Sequence, residues 1–239
     1  MIPGRKLARK TPVRKSPGGG PRSFAPRLEA ITGEVTLAAA LATLRARDPD
    51  TIDAMLGIAG PPPLRLRAPD FAGLAWIVVA QQVSTASASA IFARFSTAFP
   101  GVQPAAVDAA SDEALRACGL STPKIRALRA IARAAIDGAL DIKDLARMDA
   151  EEARASLTAI HGVGPWTADI FLLSCLGHPD AWPSGDLALQ EGARLVLGLP
   201  ARPDAKELEK IGDRWRPARG VAARLLWACY AALKKQPET

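Results

Sequence analysis

The 239-residue sequence has few of the residues that build disulfide frameworks or zinc sites. It contains three cysteines that are far apart, Cys118, Cys175 and Cys229, and two histidines, His161 and His178. An odd number of cysteines without CxxC spacing excludes a disulfide framework, and two histidines are too few for a histidine-built metal site. We expect the cysteines to be buried, reduced thiols.

Long apolar runs are also lacking. No run of about 18 uncharged apolar residues occurs, so a transmembrane helix is not expected. The segment "AWIVVA" (75–80) is too short to span a bilayer and is followed at once by "QQVS". The N-terminus is basic but has no apolar stretch of the secretory type. These features predict a cytoplasmic protein without a membrane partner.

The net charge of +7 is spread unevenly. Residues 1–28 contain eight of the 31 Lys and Arg residues and no acid, which leaves 23 basic against 24 acidic residues in the rest of the chain. This Pro- and Gly-rich segment is predicted to be a disordered basic tail that attracts polyanions such as nucleic acid. A solvated leader without a binding role is the alternative.

Alternating strand patterns and Asn-Gly hairpin signals do not occur, whereas helical signals extend from about residue 34 to the end. Ser111 and Asp149 are predicted helix N-caps, and Asp50 is expected to cap the segment 51–58. The sequence therefore predicts an all-α protein with compact helical lobes. Helices are expected at 33–48, 51–58, 71–84, 85–99, 111–120, 122–138, 149–160, 165–176, 185–198, 204–214 and 217–235.

Two glycines separate two of these helices in "HGVGPWTADIF" (161–171). Gly162 and Gly164 permit a tight turn, and Pro165 suits the first turn of the following helix. The free N–H groups at such a helix start form an anion site, for which a DNA phosphate is a natural ligand. A helical hairpin that binds nothing is the alternative for the glycines alone. The complete run resembles the helix-hairpin-helix motif of DNA repair proteins.

Nineteen residues after Thr167, "WPSGDLALQ" (182–190) places Asp186 at the start of another helix. Such an aspartate is commonly only an N-cap. A glycine hairpin, a helix, a proline-containing loop and this Asp together resemble the helix-hairpin-helix Gly/Pro-Asp superfamily of DNA glycosylases. Within it, the DNA-3-methyladenine glycosylase II type is most similar, through four stretches in order. These are "AQQVSTASA" (80–88), "HGVGPWTADIF" (161–171), "WPSGDLAL" (182–189) and "RWRPARGVAARLLWACY" (214–230).

The resemblance implies a two-lobed helical glycosylase fold with the active site in the cleft between the lobes. One lobe is expected at about 70–176 and the other at about 29–69 plus 182–235, together forming a glycosylase domain over 29–239. The additional N-terminal β-containing domain of larger bacterial relatives is expected to be absent.

The resemblance also assigns site residues. It implies Asp186 as the catalytic carboxylate. Trp166 and Trp227 are implied as walls of the pocket for the flipped base, although core packing is the alternative for both. The implied DNA-binding residues are Gly162, Gly164, Thr167, Gln81 and Gln82, with the last two at the gap in the duplex. Backbone carbonyls near Thr158, Ile160 and Val163 are implied to face a structural Na⁺ or K⁺ that bridges to a phosphate.

Surface cations supply further candidates for phosphate contacts, with ordinary charged surface as the alternative. They are Lys124, Arg126, Arg214, Arg216 and Arg219. His161 is expected to flank the turn without acting as a base.

Lysine is lacking where a lyase would need it. Bifunctional members of the superfamily carry a Schiff-base lysine just before the hairpin threonine, and this chain has Trp166 there. Three scattered cysteines do not supply the four ligands of an iron–sulfur cluster. The resemblance therefore implies a monofunctional N-glycosylase that excises alkylated purines in base excision repair and needs no cofactor.

The expected partner is double-stranded DNA with alkylated bases, bound by a monomer at the nucleoid if the source is bacterial. Two alternatives remain open. One is a non-enzymatic helix-hairpin-helix protein that recognises damaged or bent DNA, and the other is a plain helical interaction domain.

Overall fold

Helices account for all the regular structure in residues 28–235, the part of the chain that the computed structural model describes. This confirms the all-α prediction. Two short 3₁₀ segments, Pro100–Val102 and Asp213–Trp215, accompany the α-helices. The helices are α1 (Glu34–Arg47), α2 (Pro49–Ala59), α3 (Phe71–Ala80), α4 (Thr85–Ala98), α5 (Pro104–Ala109), α6 (Asp112–Ala117), α7 (Thr122–Ile136), α8 (Ile142–Leu145), α9 (Ala150–Thr158), α10 (Pro165–Ser174), α11 (Leu187–Leu197), α12 (Ala205–Gly212) and α13 (Arg219–Leu233).

Side-chain caps fix several helix starts where the sequence predicts them. Ser111 and Asp149 accept hydrogen bonds from the backbone N–H three residues later, at 3.2 and 2.8 Å. The predicted cap at Asp50 is wrong, because Pro49 already begins α2 and Asp48 is its N-cap residue. Asp48 makes no capping bond, and its carboxylate accepts a hydrogen bond from the Trp215 indole N–H at 3.0 Å.

The helices pack in two groups. Helices α3 to α7, α9 and α10 pack on one another, and α1, α2 and α11 to α13 form the second group. The buried apolar residues of both groups belong to one continuous cluster, in which Phe95 is fully buried in the first group and Trp182 packs edge-on against Trp215 in the second, with ring centroids 5.8 Å apart. The molecule is thus two-lobed.

The connection between α10 and α11 joins the two lobes and carries Asp186 at its end. The backbone N–H of Gly220 donates to the carbonyl of Pro179 at 2.7 Å, so α13 lies directly against this connection. A Cβ at Gly220 would lie 2.8 Å from that same oxygen, which only glycine avoids. The Trp182 indole N–H donates to the carbonyl of Leu208 at 3.1 Å. The segment before Asp186 is therefore held by the second lobe.

A cluster of charges lies at the same junction. Arg219, on α13, is fully buried and its guanidinium contacts Glu151, Asp180 and Glu209 at 2.8 to 3.0 Å. Arg216 also binds Glu151, at 2.7 Å. Since Glu151 is on α9 and the two arginines are in the second lobe, these ion pairs connect the lobes.

The three cysteines are free thiols and all are buried, as the sequence predicts. None of the helices between residues 28 and 235 is long and apolar enough to cross a membrane. The predicted basic tail lies outside the described residues, except for its last residue, Leu28.

Candidate active site

Asp186 stands at the N-terminus of α11 with its carboxylate half-exposed in a cleft. Its Oδ1 accepts a hydrogen bond from the backbone N–H of Leu189 at 2.8 Å, so the N-cap function expected for such a residue is present. The same oxygen and its partner Oδ2 accept further bonds from side chains. The carboxylate is therefore held in one orientation rather than turning freely in solvent.

Two tryptophans donate to this carboxylate. The indole N–H of Trp166 donates to Oδ2 at 2.8 Å, and that of Trp227 donates to Oδ1 at 3.0 Å. Trp166 comes from α10 in the first lobe and Trp227 from α13 in the second. The structure thus brings the three residues together. The contact is made by the N–H edges of the two indoles on the carboxylate, which the sequence does not predict.

The hairpin between α9 and α10 lies next to Trp166. Gly162 has φ of +84°, and a Cβ there would lie 2.4 Å from the Cβ of Ala127. Gly164 is the N-cap of α10 and Pro165 its first residue, and no side chain caps this helix start. The first intrahelical bond runs from the Ala168 N–H to the Gly164 carbonyl at 3.0 Å. The preceding N–H groups remain available to an anion.

The turn after α3 approaches the same hairpin. The Gln81 side-chain amide donates to the Thr167 hydroxyl at 2.8 Å. Thr167 is only 2% exposed, so its hydroxyl lies beneath the surface and is held by Gln81. Gln82 has φ of +56°, a left-handed conformation that is uncommon for a residue other than glycine, and its side chain is exposed. The predicted helix 71–84 ends at Ala80 because of this turn.

Lys124 fixes the end of α3 from another direction. Its ammonium group donates to the carbonyl of Val79 at 2.7 Å, and partial burial lowers the pKa of this lysine. A cation at the C-terminus of a helix is favourable because it satisfies free carbonyls there. Lys124, a candidate for phosphate contact, therefore supports the turn that carries the two glutamines.

These elements enclose a cleft of about 580 Å³. Its lining combines the glutamine turn, the start of α10 and the start of α11: Gln81, Gln82, Trp166, Gly185, Asp186, Leu187 and Ala188. A second cavity of about 420 Å³ has Trp227, Leu173 and Ala228 among its lining residues. Trp227 borders this cavity, and its indole N–H reaches Asp186, which lines the first cleft.

Comparison with known proteins agrees with this geometry. Residues 75–217 match the model of the HhH-GPD superfamily of base excision DNA repair proteins. The chain belongs to this superfamily. The matched segment includes the glutamine turn, the hairpin and Asp186.

Relatives with 3-methyladenine in their names are among the most similar proteins. The chain is 36% identical to DNA-3-methyladenine glycosylase 1 of Schizosaccharomyces pombe over 154 residues, 63% of this chain and 68% of that protein. The crystal structure of a DNA-3-methyladenine glycosidase from Bacillus halodurans superposes with a TM-score of 0.74, at 32% identity, over 87% of this chain and 94% of that one. The S. pombe 3-methyladenine glycosylase in complex with abasic DNA gives a TM-score of 0.70, at 30% identity, over 79% and 95%. The predicted glycosylase fold is confirmed.

The three arginines of the 214–219 segment do not all face outward. The expectation that Arg219 contacts phosphate or lies on a charged surface is wrong, because its side chain is fully buried among carboxylates. Arg216 binds Asp180 at 2.9 Å and Asp213 at 3.0 Å, so its charge is already paired. Arg214 lies 3.9 Å from Asp48, while Arg126 on α7 is exposed.

Hairpin carbonyls offer oxygen ligands of the type that hard cations prefer. The carbonyl of Ile160 accepts one hydrogen bond, from the Val163 N–H at 3.1 Å, and a carbonyl oxygen has a second lone pair. Thr158 is the last residue of α9, where carbonyls lack intrahelical partners. Among residues 28–235, no group of three or more His, Cys, Asp or Glu side chains could hold a metal ion.

Several site contacts lie beyond sequence reasoning. The bond from Gln81 to Thr167 joins residues 86 positions apart, and that from Trp227 to Asp186 joins residues 41 apart. Leu187 was also missed as a residue of the cleft, although its position directly after Asp186 was a usable signal.

Proposed function

We propose that this chain is a monofunctional DNA-3-methyladenine glycosylase of type II, which excises alkylated purines from duplex DNA in base excision repair. The single observation that carries the proposal is the Asp186 carboxylate, fixed by three N–H donors in a cleft beside the hairpin. A protein that only binds anionic DNA has no need of a carboxylate in its binding cleft. This favours the enzyme over a non-enzymatic binder.

The carboxylate suits glycosidic bond cleavage. Cleavage of an N-glycosidic bond develops positive charge on the sugar, as in glycoside hydrolysis generally. A preorganised carboxylate beside C1′ stabilises that charge and orients the attacking water. The base must first leave the helix, at a cost that is smaller for a damaged base. Asp186 is the catalytic residue in this proposal.

The two tryptophans serve two purposes in the proposed site. Their indole N–H groups hold Asp186, and their rings would stack on an alkylated base, at about 1–3 kcal/mol per base. Stacking on a cationic alkylpurine gains a cation–π contribution. The cavity of about 420 Å³ that Trp227 borders would receive the base.

The hairpin and the glutamine turn position the DNA. The free N–H groups in the first turn of α10 would bind a backbone phosphate, and the carbonyls of Thr158, Ile160 and Val163 would hold an alkali ion against it. Such an ion would neutralise phosphate charge and supplies no redox or hydrolytic step. Gln82, exposed at the cleft, would face the gap that the flipped nucleotide leaves. We further propose that the protein acts as a monomer, in the cytoplasm and at the nucleoid if bacterial.

Water rather than an amine is the proposed nucleophile. Trp166 stands before Thr167 where a lyase has lysine, and the sequence has no lysine between Lys143 and Lys206. A Schiff base requires such an amine. Treatment of the enzyme–DNA mixture with borohydride should therefore trap no covalent complex, and a trapped complex would contradict the monofunctional assignment.

The decisive measurement is release of free base from methylated duplex DNA. We expect release by the wild type and a rate about 10²–10³-fold lower for Asp186→Asn, because a preorganised charge at the transition state is lost. Asp204→Asn is the matched control, since Asp204 caps α12 in the same way, at 2.8 Å from the Glu207 N–H, away from the cleft. Wild-type binding without release would refute the enzyme, whereas equal rates for both variants would refute the role of Asp186.

A further inference from the structure

Leu187 is unusually exposed for a leucine within an active-site cleft. It is the first residue of α11, follows Asp186 directly, and is 62% exposed. Water around an aliphatic side chain of this size is unfavourable, and scattered cases are common on surfaces. This one is not at a random place, because it lines the cleft with Gln82 and Trp166.

The side chain of Leu187 has little to do with the packing of its own helix. The buried face of α11 is formed by residues such as Leu189 and Ala193, both fully buried, and Leu187 points away from that face. Its apolar surface therefore contributes little to folding. A contact made after folding is the simplest reason for an aliphatic group at this position.

DNA is the occupant that the cleft is built to receive. Extrusion of a nucleotide leaves an unstacked gap, and proteins that deform DNA fill such gaps with apolar side chains. Gln82, on the facing turn, offers an amide rather than an aliphatic group. Among the residues that line the cleft, Leu187 is the exposed aliphatic side chain of sufficient size.

We propose that Leu187 is a DNA-binding residue that packs against the deoxyribose of the extruded nucleotide and the base that extrusion uncovers beside it. The inference rests on the proposed function, since Asp186 must lie beside C1′ and consecutive Cα atoms are about 3.8 Å apart. The apolar side chain of Leu187 covers the part of the gap that Gln82 leaves exposed to water. It thereby stabilises the flipped state over intact duplex.

The test compares two duplexes of identical sequence, one with a tetrahydrofuran abasic analogue and one intact. Leu187→Ala should weaken binding of the abasic duplex about ten-fold, because the substitution removes most of the apolar area that the leucine side chain would bury against the DNA. Binding of the intact duplex should not change. Leu195→Ala is the matched control on the same helix, 37% exposed and outside the cleft lining, and should alter neither affinity. Leu187→Met should retain most of the preference.

Two results would overturn the inference in distinguishable ways. If the wild type prefers the abasic duplex and Leu187→Ala keeps that preference, the role of Leu187 is refuted while the proposed function stands. If the wild type binds both duplexes equally and releases no base, the proposed function and this inference fall together. We expect the Leu187→Ala variant to fold normally, since truncation of this exposed side chain leaves the core intact.

Discussion

Two indole N–H groups meet at one carboxylate in the cleft, and this contact gives Trp166 and Trp227 a role that a phenylalanine could not fill. Hydrogen bonds to a charged acceptor are stronger than those between neutral groups. Trp166 acts from the first lobe and Trp227 from the second, so Asp186 is fixed by donors from both sides of the cleft. In place of the amine of a lyase, position 166 supplies a hydrogen-bond donor.

Trp166→Phe and Trp227→Phe should each lower the rate of base release about ten-fold in single-turnover assays. Phenylalanine keeps an aromatic face but removes the N–H, and a hydrogen bond to a charged group contributes about 1.5–3 kcal/mol. Affinity for abasic duplex should change little. Trp76→Phe, on α3 under the Arg67 guanidinium and outside the cleft, is the control. Unchanged release with weakened binding would show that stacking, not orientation of Asp186, is the main role of these residues.

Among the elements, the hairpin was predictable from the sequence and the glutamine turn was not. The backbone preferences of glycine and proline are properties of the residues themselves. Gly162, Gly164 and Pro165 are therefore enough to predict the turn and the start of α10. Helix α3 ends four residues before its predicted end. Gln81 leaves the helix and bonds to Thr167, and that partner is distant in sequence.

The two hairpin glycines should respond differently to alanine. Gly162→Ala should lower the free energy of unfolding by about 2 kcal/mol or more, because φ is +84° and the new Cβ would meet Ala127 at 2.4 Å. Gly164→Ala should cost no more than about 1 kcal/mol, since its Cβ has nothing within 4 Å and the change affects only an N-cap preference. Urea unfolding measures both.

DNA binding separates the two variants further. The open space at Gly164 is the space through which a phosphate would approach the free N–H groups of α10. Gly164→Ala should therefore fold normally and bind duplex DNA several-fold more weakly at low salt. Normal affinity in this variant would argue against a phosphate at this helix start.

At the scale of the whole molecule, the separation of the lobes determines whether the hairpin and Asp186 can act on one nucleotide. The ion pairs of Arg216 and Arg219 join helices of the two lobes, with Arg219 and Glu151 68 positions apart in the sequence. From the sequence both arginines were candidates for phosphate contacts, with charged surface as the alternative, because the sequence does not show whether a positive charge is paired. Only the tertiary structure supplies the carboxylates that pair with them.

Two carboxylates near this junction, the buried Asp169 and the more exposed Glu151, have pKa values shifted in opposite directions. Burial raises the pKa of Asp169 to about 7, despite the Arg154 guanidinium at 2.7 Å. Burial also acts to raise the pKa of Glu151, but hydrogen bonding and attraction from Arg216 and Arg219 outweigh it and lower the value to about 2. The first group favours the folded state at low pH, and the second favours it above the pKa of the unfolded chain.

Glu151→Gln should therefore destabilise the protein in a pH-dependent way. Because the pKa of Glu151 falls from 4.5 to about 2 on folding, its stabilising effect is complete above about pH 4.5 and is lost as the pH drops towards 2. The urea midpoint of the variant should lie below that of the wild type at neutral pH, and the difference should shrink in acid. Glu152→Gln, at the next residue and exposed, should leave the midpoint unchanged at each pH. If the difference in urea midpoint between wild type and variant is the same at each pH, Glu151 contributes through its packing and not through attraction of its charge to Arg216 and Arg219.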